Sequence, residues 1–294
     1  SVLSGVLSLS GPSTVEVAPQ KKLSYQGGGL ELGINSLEIK GDGELEFTAP
    51  QAALVLNGPD SLLLLSGSGR IPRVLISATP ANDRGLKITG QPTLVALEFE
   101  VDTSLSASDM FSVEEGIVIK RVLTLNGSGI FTSRLVLDNG TLEITDRPTL
   151  SGVLSQNAAS KIKLAQNAKL TTSQAVDLGS SVLSLLGPGT FTNAEAFVLN
   201  QSAGLDLSQG VVVKGDIKMG GGVLRSSGDA EVSEALSLSA DASVQIADAK
   251  TLTYSGPEVS IGQYTLTIAG AGILSNTNSL ILGNALSVLK VTGP

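Results

Sequence analysis

The sequence predicts an all-β protein, a parallel β-solenoid of about ten irregular coils that forms a single body over residues 1–294. Three observations lead to this prediction. A short phrase ending in glycine recurs along the chain, apolar and polar residues alternate between its copies, and the composition suits a narrow aliphatic core. We further expect the solenoid to be right-handed.

The recurring phrase alternates one to three aliphatic residues with Ser, Thr or Lys and then reaches glycine, as in residues 36–43 (SLEIKGDG). The steps between copies run from 21 to 37 residues, and the first turn residues lie at positions 11, 41, 67, 90, 127, 152, 187, 220, 241 and 270. Leucine-rich repeats, propeller blades and helical arrays carry fixed signature positions that are missing here. Such irregular steps fit solenoid coils with two or three short strands each. At a strand spacing of about 4.8 Å, ten coils make a rod of roughly 45 to 50 Å.

Between the glycines, apolar residues recur at every second position, as in residues 264–268 (YTLTI). This period is typical of strands with one buried side. Glycine or proline interrupts most of the chain, which disfavours long helices. Three stretches that lack both residues, 93–115, 153–178 and 229–255, leave room for a local helix, although they also contain strand-like alternation.

The composition agrees with a solenoid. The 294 residues include 34 Gly but only six Phe, three Tyr and no Trp, so the predicted core is aliphatic and the corners are rich in glycine. Glycine suits cramped or left-handed corners. Tandem β-sandwiches are the alternative fold, but they usually need more aromatic core residues than this chain offers.

Several classes of function are disfavoured by what the chain lacks. Without Cys or His there is no thiolate or imidazole metal site, no catalytic triad based on His, and no disulfide. The net charge of −8, with no run of Lys and Arg, argues against nucleic acid as a partner. No apolar stretch approaches the 18 or so residues of a membrane-spanning helix. We expect no cofactor and no enzymatic activity.

One segment and one set of carboxylates stand out from the repeat. Residues 93–120 are the least regular part of the chain, and we predict an irregular insertion or expanded corner there. Within it, Glu98, Glu100 and Asp102 are spaced to project from one face of a strand, where they could bind Ca²⁺ or act as an acid or base. The simpler interpretation is a row of solvated side chains on an acidic rod.

Both ends of the sequence already have the pattern of strands, and neither carries a recognisable cap. Sheet edges without a cap expose unpaired N–H and C=O groups. Either flanking coils of a longer chain cover these ends, or the last coil of one copy pairs head-to-tail with the first coil of the next. The apolar residues predicted at such an end-to-end interface are Val2, Leu3, Val6, Leu7, Leu9, Leu286, Val288, Leu289 and Val291.

The glycine phrase, with its aliphatic strands, its Ser, Thr and Asn corners and the absence of Cys, resembles the secreted parallel β-helix repeats of bacteria. It is similar to the passenger regions of autotransporters and filamentous-haemagglutinin-type adhesins. The resemblance covers nearly the whole chain but rests on general texture. It implies an extracellular or cell-surface location, a rod-shaped scaffold and no catalysis.

We therefore expect a structural protein that forms, or contributes to, a surface fibre. The first alternative is an adhesin shaft or phage-type spike whose 93–120 segment binds a receptor or glycan. The second alternative is a polysaccharide lyase or hydrolase that depends on carboxylates.

Overall fold

A computed structural model describes residues 1–81, 85–106, 111–276, 278–282 and 285–293. These residues form short β-strands and contain no helix. In chain order the strands are β1 (Val2–Leu3), β2 (Ser13–Glu16), β3 (Lys22–Tyr25), β4 (Leu30–Glu31), β5 (Ser36–Lys40), β6 (Glu44–Phe47), β7 (Leu54–Leu56), β8 (Leu62–Leu65), β9 (Arg70–Ile71), β10 (Val74–Ile76), β11 (Gly85–Ile88), β12 (Thr93–Leu94), β13 (Leu97–Phe99), β14 (Thr103–Ser106), β15 (Ser112–Val113), β16 (Ile117–Ile119), β17 (Val122–Asn126), β18 (Ile130–Phe131), β19 (Leu135–Leu137) and β20 (Thr141–Ile144). The series continues with β21 (Thr149–Leu150), β22 (Leu154–Gln156), β23 (Ser160–Leu164), β24 (Lys169–Thr172), β25 (Val176–Asp177), β26 (Val182–Leu186), β27 (Thr190–Asn200), β28 (Gly204–Ser208), β29 (Val211–Gly220), β30 (Val223–Ser226), β31 (Ala230–Val232), β32 (Leu236–Leu238), β33 (Ala242–Ile246), β34 (Thr251–Tyr254), β35 (Val259–Ser260), β36 (Thr265–Ala269), β37 (Ile273–Asn276), β38 (Leu280–Ile281) and β39 (Val288–Thr292).

The strands pair in parallel with strands one coil away, which confirms the predicted parallel β-solenoid. The first face contains β2, β5, β8 and β11, followed by the run from β14 through β17, β20, β23, β26, β28, β30, β33 and β36 to β39. The second face begins with β1, β3 and β6, and the third begins with β4, β7 and β10. Strands β27 and β29 each run through the corner between the second and third faces, so each pairs with neighbours on both.

The number of coils is larger than predicted. The solenoid has about 13 turns, not ten. The glycine phrase recurs on average about every 29 residues. Register partners are 18 to 26 residues apart, as for Val118 with Val136 and Leu37 with Leu63. The phrase misses coils whose corners use other residues. For example, Asn167 and Ala249 adopt positive φ values of 64° and 54° in the turns after β23 and β33.

The segment predicted as an insertion contributes ordinary strands where it is described. Strands β12 and β13 pair with neighbours on both sides, and so does β16. Strand β14 pairs with β17. The corner between β14 and β15, residues 107–110, lies outside the described residues.

A single cluster of buried aliphatic side chains runs inside the coils from Val17 to Leu266. The inward side chains stack in register; Leu105, Leu125, Ile144 and Leu164, for example, form one column on the first face. Burying apolar surface is the main force that stabilises the fold. Since each coil covers the next, the core extends along the rod and does not gather at one centre.

Two pairs of aromatic side chains lie near the corner between the second and third faces. Tyr25 and Phe47 end consecutive strands of the second face, and their ring centroids lie 5.3 Å apart. Phe191 and Phe197 are fully buried on either side of the same corner, 5.1 Å apart. This corner therefore accommodates large rings, whereas the composition predicts a narrow core that is mainly aliphatic.

Candidate functional site

The carboxylate that differs most from its surroundings is Glu98, in the middle of β13. Leu97 and Phe99 point into the core, so Glu98 points out of the third face. Its register partners on the adjacent coils are Leu75 and Val118. Glu98 is nevertheless only 4% exposed, because neighbouring side chains cover it. A carboxylate in such a place needs charged partners.

Two cations supply that partnership, one from the coil on each side. Arg73, which precedes β10, bonds Oε2 of Glu98, and Lys120, which follows β16, bonds Oε1. Burial raises the pKa of Glu98, but the hydrogen bonds from Lys120 and Arg73 outweigh it and leave the pKa below its usual value. The pKa of Lys120 is raised, chiefly because its ammonium group donates a hydrogen bond to Glu98. Glu98 is therefore held ionised, whereas a general acid needs a raised pKa.

The other two carboxylates of the predicted set do not join Glu98 around one point. Glu100 is exposed, 3.4 Å from the Lys120 ammonium nitrogen, and Asp102 accepts the backbone N–H of Val122 at 3.1 Å. Among the described residues, no three carboxylates converge as metal ligands. Glu98, Glu100 and Asp102 thus each make a separate contact to an adjacent coil.

We expect Glu98 to make stability depend on pH. Because its folded-state pKa lies below the unfolded value of about 4.3, its contribution is present above that pH and is lost as pH falls through the folded pKa. Glu98→Gln should lower the thermal midpoint at pH 7, and its difference from the wild type should shrink toward pH 3. Circular dichroism melts across this range measure both.

Glu143→Gln is the matched control for this prediction. Glu143 is 2.9 Å from Lys163 in an ion pair between adjacent coils on the first face, and this pair is much more exposed than Glu98: 30% of the Glu143 side chain and 56% of the Lys163 side chain. Exposed pairs of this kind contribute only about 0–1 kcal/mol. If Glu143→Gln shifted the midpoint as much as Glu98→Gln, the buried position of Glu98 would have no special effect.

A second charged cluster lies on the outer side of the second face. Glu44 contacts Lys22 at 3.4 Å and Arg70 at 2.9 Å, and Arg70 also holds Glu114 at 2.6 Å. The hydrogen bond from Arg70 lowers the pKa of Glu114, and the hydrogen bond from Lys22 lowers that of Glu46. Opposite charges therefore alternate along this face from the coil of Lys22 to the coil of Glu114, and Arg70 reaches Glu114 past the intervening coil of Thr93.

Sequence reasoning missed a group of aspartates that fasten each coil to the next. The Asp241 carboxylate accepts the Thr265 backbone N–H at 2.8 Å, and Asp229 accepts that of Thr251 at 2.9 Å. Asp42 accepts both the hydroxyl and the N–H of Ser68, and these hydrogen bonds lower its pKa. The signal available in the sequence was an Asp at a corner, about one coil before the start of a strand.

The predicted end-to-end residues lie on the first and last coils. Most of them are exposed, up to 97% for Val6 and 72% for Val291, whereas Leu7, Leu9 and Leu289 are partly buried against the core. Strand β1 pairs with β3 and β39 with β36. Among the described residues, nothing pairs with the outer edges of β1 and β39.

No family model, curated protein or solved structure matches this chain. Within the described part of the chain, no helix has the length and apolar character to span a membrane. The fold and the geometry of these side chains are therefore the basis for assigning a function.

Proposed function

We propose that the protein is the structural shaft of an extracellular surface fibre, and that the shaft is extended by stacking of terminal coils from successive copies. The observation that supports this most is the aliphatic core that continues through the coils, flanked by parallel sheets with open edges on β1 and β39. The charged side chains described above serve to join coils, which is the arrangement a load-bearing rod needs.

Stacking follows from the same interactions that join the coils within the chain. A new coil at either end would satisfy the free backbone groups of the edge strand and bury the apolar side chains beside it. The contact is head-to-tail, so repeated addition produces an open filament. A chain without Cys holds together without disulfides and so keeps this assembly independent of redox conditions.

Negative-stain electron microscopy of the purified 294-residue chain tests this proposal. Fibres are expected with an axial repeat of about 67 Å, from fourteen first-face strands at about 4.8 Å spacing. Val291→Lys should prevent growth, because it places a charge against the apolar end of the core. Ile130→Lys is the control, because Ile130 is as exposed as Val291 but lies on the flank, in the seventh coil.

Dispersed rods from the wild-type chain would contradict stacking between copies. Fibres that form equally well with Val291→Lys would contradict growth through the last coil. Immunogold labelling of intact producing cells tests the location, and we expect gold at the cell surface. Labelling confined to the cell interior would overturn the extracellular assignment.

A further inference from the structure

The outer side of the third face changes character along the rod. At the centre of each third-face strand, one side chain points outward. In five consecutive coils these side chains are Val55, Leu75, Glu98, Val118 and Val136, in direct register. In the coils that follow, the corresponding residues are mostly polar, among them Ser155, Lys218 and Ser237. We call the first five residues the outer stripe.

Strands in the outer stripe are apolar on both sides. The sequences of β7 (LVL), β10 (VLI), β16 (IVI) and β19 (LVL) contain no polar residue, and only their outer residues face away from the core. Strands of a parallel sheet have this composition when both sides are covered. The single charge in the stripe, Glu98, is neutralised by Arg73 and Lys120. Glu98 and Val136 are only 4% and 6% exposed, so the apolar surface that the stripe offers to a partner comes mainly from Val55, Leu75 and Val118, which are half-buried.

On its last coil, the outer stripe carries opposite charges at its two edges. Arg134 precedes β19 and Asp138 follows it, so the two lie at opposite ends of the same strand. Neither has an ion-pair partner in the described part of the chain; Arg134 only donates to the Ser155 hydroxyl, at 3.1 Å. On the other coils of the stripe the edge charges are already paired within the chain: Arg73 with Glu98, and Lys120, which follows β16, with Glu98 and Glu100.

We propose that the outer stripe is a lateral docking surface for the outer stripe of a second copy, with the two rods parallel. A two-fold axis along the rods brings the leading edge of each stripe against the trailing edge of the other. Arg134 then faces Asp138 of the second copy, and the reverse contact follows by symmetry. Antiparallel rods with the two stripes fully overlapping would bring the coil of Arg134 against the coil of Val55, where Arg134 meets Ala53 and Asp138 meets Asn57, so neither charge gains a partner.

The size of the outer stripe sets the strength of this contact. Five coils span about 24 Å, and five residues across the face span about 16 Å, which is roughly 400 Å² per copy. Stable complexes bury about 800 Å² per partner. The contact is therefore weak for a single pair of subunits and becomes stable where many copies are joined end to end in a fibre, because each subunit adds another contact.

Cross-linking tests the docking surface, since the chain has no native Cys. Val118→Cys, at the centre of the stripe, should give a covalent dimer with a short bis-maleimide at high protein concentration. Thr124→Cys is the matched control, because Thr124 is also a central, outward residue of the same coil, on the first face. Both are made together with Val291→Lys, so that end-to-end stacking does not contribute. Equal dimer yields from the two variants would overturn the proposal.

Charge reversal tests the orientation of the two rods. In the Val118→Cys background, Arg134→Asp and Asp138→Arg should each reduce the yield of dimer severalfold, because each places like charges together. The double variant should restore the yield. Failure of the double variant to restore it would contradict the parallel arrangement. Circular dichroism of each variant checks that the fold is intact, and neither outcome alters the fibre test described above.

Discussion

Gly67→Ala is expected to destabilise the solenoid by about 3 kcal/mol, the upper end of the usual cost of overpacking. A methyl group at Gly67 would lie 2.0 Å from the carbonyl oxygen of Gly41 on the preceding coil. The same contact continues to Gly90, where a methyl group would lie 2.2 Å from the Gly67 carbonyl oxygen. Because the obstacle is backbone, two coils must move apart. Thermal unfolding followed by circular dichroism measures the loss.

Gly28→Ala is the control for that prediction. No atom lies within 4 Å of a methyl group at Gly28, and its φ is not positive. Alanine should be neutral there or stabilise by a few tenths of a kcal/mol, since it restricts the unfolded chain. Equal losses for the two variants would mean that the close stacking of the corners does not limit which residues they accept.

Phe191→Ala is expected to cost about 3–5 kcal/mol, because it removes a fully buried ring and leaves a cavity between coils. The ring packs against Phe197 across the corner where β27 passes from the second face to the third. Phe191→Leu should recover most of the loss by filling the space. The measurement is again the thermal midpoint, with denaturant unfolding as an independent probe.

Ile130→Ala tests whether burial of the side chain is the cause of the stability loss expected for Phe191→Ala. Ile130 lies on the second face like Phe191, but its side chain points to solvent and is 65% exposed. Its truncation should change stability by no more than about 0.5 kcal/mol, as for other surface sites. A large loss from Ile130→Ala would indicate that the outer surface is covered in solution.

The number of turns could not be predicted correctly from the sequence. The glycine phrase marks corners such as Gly41 and Gly67, where the backbone of the preceding coil excludes a side chain. Corners that meet no such obstacle accept other residues, as with Asn167 and Ala249, so they carry no signal in the sequence. Counting glycines therefore found ten coils, whereas strand pairing gives about 13 turns.

The candidate site was predictable only in part. Glu98, Glu100 and Asp102 stood out by their spacing, and all three carboxylates make contacts to the next coil. Their partners could not be identified from spacing, because Arg73 and Lys120 lie about one coil away on either side and coil length varies. The same variation hid the contact between Asp241 and the Thr265 backbone N–H.

By itself, the sequence indicated the fold class, because alternation with a period of two, frequent glycine and a shortage of aromatic residues favour a stacked parallel sheet over tandem β-sandwiches. The tertiary structure alone decided which outward residues meet. Register places Glu98 between two cations, gathers aromatic rings at one corner, and aligns Val55, Leu75, Val118 and Val136 into one stripe. The physical reason is that neighbours in a solenoid are set by backbone pairing between residues 18 to 26 positions apart, a distance that no local pattern specifies.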